Sequence, residues 1–170
     1  MKIINLTLAI ICSILFASCS PDKAEKSAST KESVPATAAV SDAIYPLGQV
    51  IHLPIQPESV KFQTINLAKI SGDPNSEEFG IVALMKFSDE NIKTFIEKSA
   101  AIEQKNIPAK FSFPWLKPTL DANFKLDATN NDYAFNKTAL NAEYFYRSPL
   151  IKGAAYQVSP TEILVYLHTQ

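Results

Sequence analysis

Two histidines stand in this chain, His52 and His168. Imidazole is the side chain that most readily serves as a general base or metal ligand near neutral pH. Both fall in stretches that read as strands, Val50 to Ile55 and Glu162 to His168. If those strands were neighbours, the pair could form a small metal or acid–base site. No other ligand has diagnostic spacing near either, since the chain has no His-Glu-x-x-His and no Cys-x-x-Cys. Surface histidines at strand ends are the plainer reading.

A serine nucleophile needs a base and an orienting group, and no serine here sits in Gly-x-Ser-x-Gly. The 4 glycines, Gly48, Gly72, Gly80 and Gly153, are far apart, so no phosphate-cradling loop can be built from them. Paired carboxylates could do glycosidase-type work at the right separation. Asp73, Glu77 and Glu78 lie in one turn-rich stretch, and Asp127 and Asp132 in another. Solvated loop charge explains both groups more simply. The second group also lacks the glycine and the closing glutamate of a calcium loop. The expectation is a non-enzyme with no catalytic residue, no metal site and no cofactor.

Aromatic rings offer a different kind of chemistry. They concentrate late in the chain, at Tyr133, Phe135, Tyr144, Phe145, Tyr146, Tyr156 and Tyr166, and around Trp115 in Phe111 to Pro118. Trp and Tyr are frequent interface anchors and equally ordinary strand residues. Trp115, Tyr144, Tyr146 and Tyr166 are the candidate partner-binding residues. Tyr144 and Tyr146 would share a face if Glu143 to Arg147 is a strand.

The elements that must position these groups are legible in part. Val50 to Ile55 and Val60 to Ile70 read as strands, the first at an edge because Pro54 lacks the ladder donor. Ser71 to Ser76 is a dense turn signal, and Phe79 to Phe87 reads as a buried strand. The clearest helix is Asp89 to about Lys105, capped by Ser88, with Ile92, Phe95, Ile96 and Ile102 along one side. Proline density between Phe111 and Pro118 rules out a regular helix there, and Asn123 to Asn141 reads mostly as loop. Lys152 to Val158 and Glu162 to His168 form a hairpin about Ser159-Pro160-Thr161-Glu162. A register with Val158 opposite Ile163 would put Tyr156 opposite Val165 and Ala154 opposite Leu167, six residues on one core face. The fold class expected is α+β: a mainly antiparallel sheet of about five or six strands with one main helix on a face.

The start of the chain has a separate logic. Met1-Lys2 is followed by a mostly apolar run from Ile3 to Phe16 and then Ala17-Ser18-Cys19. A positive start, a short apolar run and small residues before a cut form an export signal. The run has about 14 residues, short of a membrane-spanning helix. Cys12 lies within the segment to be removed, which leaves Cys19 alone and excludes an intramolecular disulfide. Phe16-Ala17-Ser18-Cys19 resembles the lipobox of bacterial lipoproteins, with Phe16 where that family usually has Leu. The resemblance implies cleavage before Cys19, acylation of that cysteine and anchoring on a membrane. Ser20 in place of Asp implies, for a Gram-negative lipoprotein, the outer membrane on its periplasmic side.

Ser20 to about Ala43 is rich in Ser, Ala, Thr, Lys and Glu and has no aromatic residue. Such a stretch buries too little to offset chain entropy. It is expected to be a disordered tether, and Ile44 to Gln170 a single domain. The formal charge is −1, from 16 Lys+Arg and 17 Asp+Glu, and no basic block exists, which argues against a nucleic-acid partner. The leading expectation is a lipid-anchored envelope protein whose domain binds another envelope protein. A periplasmic immunity or inhibitor lipoprotein that neutralises a toxin is one alternative, and a small envelope hydrolase is another.

Overall fold

A computed structural model describes residues 38–67, 78–103 and 105–169. The expected signal segment, Cys19, most of the expected tether and the expected turn at Ser71 to Ser76 lie outside the described residues.

Six strands form the main sheet: β1 (Ser59–Asn66), β2 (Phe79–Lys86), β3 (Ala101–Ile102), β7 (Ala139–Leu140), β8 (Lys152–Gln157) and β9 (Glu162–His168). Their order is β1-β2-β9-β8-β7-β3, with every neighbouring pair antiparallel. A smaller sheet has the order β4-β6-β5, from β4 (Ile107–Pro108), β5 (Phe124–Asp127) and β6 (Asp132–Phe135). Among the described residues there are three α-helices: α1 (Ile44–Val50), α2 (Asp89–Lys98) and α3 (Lys117–Asn123).

The large sheet is buried on both faces. On one side Ile81, Ala83, Met85, Ile163, Val165 and Leu167 pack with Leu47 of α1 and Phe95 of α2. On the other, Val82, Ala154, Tyr156, Leu164 and Tyr166 pack with Phe111, Leu120 of α3 and Phe124 and Phe135 of the small sheet. The result is three layers, α1 and α2 on one face and α3 with the small sheet on the other. Two-sided burial explains why β2 and β9 read as continuous apolar runs instead of alternating.

Several expectations are corrected. The α+β class with a mainly antiparallel sheet holds, but there is not one main helix. Val50 to Ile55 is no strand. Ile44, Leu47 and Ile51 stand at helical spacing, and α1 turns Leu47 and Ile51 fully into the core. Pro46 is tolerated because it lies in the first turn, where its missing donor costs nothing. His52 therefore sits in a loop.

α2 begins as expected, with the Ser88 hydroxyl accepting the Asn91 N–H at 3.3 Å. It stops at Lys98, where Ser99 N–H closes on the carbonyls of Phe95 and Ile96. Ala101 and Ile102 leave the helix to pair with Leu140 and Ala139. Sheet pairing there overrides the helical preference of the stretch.

Asn123 to Asn141 is not mostly loop. It holds β5, β6 and β7, with Asn131 at the hairpin turn in the left-handed region, φ 53. Asp127 organises that turn by accepting the Thr129 N–H and the Asn130 side-chain amide.

Glu143 to Arg147 is a 3-10 turn (Glu143–Phe145) and not a strand, started by the Asn141 side-chain oxygen accepting the Glu143 N–H at 2.9 Å. The hairpin forms as expected but in another register. Gln157, not Val158, faces Ile163, so Tyr156 faces Leu164 and Ala154 faces Tyr166. The connecting loop takes one residue more than the expected turn, and that slip moves each partner to the other face.

The folded part also begins earlier than Ile44. Ser41 exchanges main-chain hydrogen bonds with Phe62 of β1 at 2.8 and 2.9 Å, and the Ala38 N–H donates to Thr64 at 3.1 Å. Residues 38–41 therefore line the outer edge of β1.

Candidate functional site

The expected site residues fall in different environments. Tyr166 is only 6 % exposed. It packs edge-on against Phe111 at 4.8 Å and stacks on His168 at 5.2 Å. It is a core residue and drops out of the candidate binding surface. Trp115 is half-buried: its indole N–H donates to the Gln63 side-chain oxygen at 2.7 Å. Its ring stacks on Phe113 at 6.4 Å, with the Lys61 ammonium 5.7 Å from its centroid. Tyr146 is half-buried at the rim of the helix-side core, where burial, and then the nearby Glu143 charge, push its phenol above the ordinary range. Tyr144 is the exposed one, at 40 %.

Tyr144 is exposed yet held. Its hydroxyl donates to the Lys98 carbonyl at 3.2 Å, and its ring lies edge-on to Phe95 at 6.3 Å. Its own carbonyl is 2.8 Å from Nδ1 of His52, a contact that calls for the Nδ1–H tautomer. The His52 main-chain N–H donates to Phe145, and the Arg147 guanidinium donates to the Gly48 carbonyl. These bonds stitch the 3-10 turn to α1 and the loop that follows it.

That loop divides two grooves. One, of about 410 Å³, is lined by Ile44, Tyr45, Gly48, Gln49, Leu53 and Gln56. The other, of about 120 Å³, is lined by Pro54, Ile55, Phe95, Lys98 and Tyr144. A third, polar groove of about 360 Å³ continues from Tyr144 past Lys98, Asn141 and Glu143. Tyr45 is 78 % exposed. The surface is thus a ridge, Leu53 to Gln56, between two exposed tyrosines. Only Tyr144 of this ridge was legible in advance. The signal that could have found Tyr45 is the helical spacing of Ile44, Leu47 and Ile51, which places Tyr45 on the outer side of a helix.

The two histidines are not brought together. His52 bonds the turn that covers the helix-side core, while His168 stacks on Tyr166 in the opposite core. The sheet stands between them. His52 serves the backbone of the tyrosine turn, a positioning use of imidazole. Asp127 and Asp132 are cross-strand partners. The first carboxylate is held below its ordinary range mainly by the Thr129 and Asn130 hydrogen bonds, and the second accepts the Asn106 side-chain amide at 3.0 Å. Asp73 and Glu77 lie outside the described residues. Among the described residues, no group of three or more His, Cys, Asp or Glu is placed to hold a metal ion. No described helix is long and apolar enough to cross a membrane.

Fold and surface together define a three-layer α+β domain that presents a tyrosine-flanked ridge. No family model, curated protein or solved structure matches the chain.

Proposed function

We propose that this chain is a lipid-anchored cell-envelope protein, acylated at Cys19 and facing the periplasm from the outer membrane, whose domain binds another envelope protein and does no chemistry of its own. The observation that carries the binding reading is the ridge: Tyr45 and Tyr144, exposed by 78 % and 40 %, flank Leu53 to Gln56 with an apolar groove on each side. Tyrosine supplies a large, rigid contact area at low entropic cost, and a few such anchors carry most of an interface's energy. Tyr144 is already fixed by its hydroxyl, its ring and its carbonyl, so a partner would pay little to order it. The anchoring reading rests on Phe16-Ala17-Ser18-Cys19 and the tether composition.

The test is site-specific photo-crosslinking in intact envelopes, with the crosslinker at position 45 or 144 and, as a control, at Lys125 in β5 of the opposite layer. A discrete adduct from the ridge positions and none from position 125 is the expected result. Equal labelling from all three positions refutes the ridge. Cys19→Ala should release the protein from the membrane fraction. His168→Ala, on the far side of the sheet from the ridge, should leave partner capture nearly intact, whereas His52→Ala frees the Tyr144 carbonyl and should weaken capture without abolishing it. Abolished function in a folded His168→Ala variant would overturn the non-enzymatic reading.

A further inference from the structure

In an antiparallel ladder, successive residues turn their main-chain groups to opposite edges. Phe62 exchanges both bonds with Ser41, so Phe62 faces outward and Gln63 faces inward to Val82 of β2. Among the described residues, the outer edge of β1 is therefore closed by residues 38–41. These fit loosely. From Ser41 opposite Phe62, a regular ladder would bring Ala39 to Thr64, but Ala38 makes that bond. One residue is extra, a bulge at Ala39 and Val40. Ala38, Ala39 and Val40 are exposed, and no side chain of the segment enters either core. What holds it is main chain on main chain, plus the Gln63 side-chain N–H donating to the Ala38 carbonyl at 2.7 Å. Any extended segment offers the same groups.

Gln63 ties this edge to a second feature. Its side-chain oxygen accepts the Trp115 indole N–H, and Lys61 stands over the Trp115 ring. Continued by one residue from Ser41 opposite Phe62, the same register would bring position 42 beside Lys61, where Asp42 forms no ion pair with it. A strand laid on this edge thus meets an amide that reads its carbonyl, with an indole behind, and a lysine that favours an acidic residue at one position.

We propose that the outer edge of β1 is a strand-addition site, that residues 38–41 occupy it as a displaceable strap, and that its external ligand is an extended peptide segment carrying an acidic residue opposite Lys61. This site is separate from the tyrosine ridge and does not rest on it.

Amide hydrogen exchange on the full chain tests the strap directly. The Phe62 N–H is protected only by Ser41, whereas the Gln63 N–H is protected by β2. With only a few main-chain bonds to break, Phe62 should exchange roughly a hundredfold faster than Gln63. Equal rates would make residues 38–41 a permanent strand and overturn the proposal. The second arm uses full-length Ser41→Pro, which removes the donor to Phe62, and a synthetic peptide of residues Ala36 to Ala43 as probe. The peptide should restore Phe62 protection and shift the emission of Trp115, the single tryptophan. Adding Lys61→Glu should weaken its binding roughly tenfold. A peptide that leaves Phe62 unprotected, or binds equally well with Lys61→Glu, refutes the site or its acidic preference. If Ser41→Pro fails to fold, the exchange ratio in the unaltered chain still decides.

Discussion

Tyr156→Phe should lower stability near neutral pH and cease to do so in strong alkali. Tyr156 is fully buried, and its hydroxyl donates to the Lys105 carbonyl at 2.7 Å. Deleting the hydroxyl leaves that carbonyl without its partner, a cost of about 1 kcal/mol. Burial also pushes the phenols of Tyr156 and Tyr166 far above the ordinary 10.0. The folded chain therefore keeps two protons that the unfolded chain gives up. The stability tied to them is full below about pH 10 and falls as pH rises further, by about 1.4 kcal/mol per pH unit for each tyrosine. By pH 11 the pair accounts for about 3 kcal/mol, a large share of the 5–15 kcal/mol that typically holds a domain together. Tyr156→Phe removes half of this alkaline penalty. Urea unfolding of both proteins at about pH 8 and pH 11 should show the variant weaker by about 1 kcal/mol at the first and level with the wild type, or slightly above, at the second. Lysine deprotonation is common to both and cancels in the comparison. Parallel curves would refute the reasoning, as would an ultraviolet titration in which every tyrosine of the folded protein ionises in the ordinary range.

Gly153→Ala should be severe. Gly153 has φ +139, and an added Cβ would lie 1.9 Å from the Tyr166 carbonyl oxygen, so a loss of about 3 kcal/mol or more and a melting temperature lower by about 10 °C are expected by calorimetry. Ser88→Ala removes the cap of α2 and should cost about 1 kcal/mol in chemical denaturation. Tyr144→Ala should weaken capture of the partner at least about tenfold while moving the melting temperature by only about 2 °C, since its ring is partly solvated. Trp115→Ala should do the reverse. It should lose about 2 kcal/mol of stability, because the indole is half-buried against Phe113 and bonded to Gln63, yet capture the same partner at temperatures where it stays folded.

Local signals were legible where one rule decides the outcome. Ser88 followed by Asp89 and Glu90 marks the start of α2, and Phe79 to Lys86 is apolar enough to be a strand whichever face it turns. The hairpin of β8 and β9 is visible for the same reason. Its register was not. Both faces of the hairpin are apolar, so polarity cannot say whether Tyr156 belongs with Val165 or with Leu164. The length of the loop decides, and Ser159 to Glu162 fits two lengths. Ala101 and Ile102 look helical until Leu140, far along the chain, offers them a ladder. Proline misled at the other end: Pro54 argued for an edge strand, while the spacing of Ile44, Leu47 and Ile51 was the truer signal. For the site, residue type pointed to tyrosine, but which ring would be exposed depended on tertiary packing. Tyr144 and Tyr166 have the same chemistry and opposite fates.

The place of β9 has a consequence for how the protein is made. This strand, Glu162–His168, lies between β2 and β8 and joins the two halves of the large sheet. Ile81 must find Leu167 across most of the folded chain. A polypeptide that emerges N-terminus first therefore holds β1 and β2 as a two-stranded ribbon, with β2 apolar on both faces, until the last strand arrives. At typical synthesis rates that interval is on the order of ten seconds. Pairing across so long a separation is slow in any case. For the export proposed above, the delay would be useful. Threading through a membrane requires an unfolded polypeptide, and a sheet whose central strand comes last cannot close before the thread has passed. The same order leaves the waiting ribbon open to aggregation, so a chaperone that shields β2 during transit would act on the one segment that most needs cover.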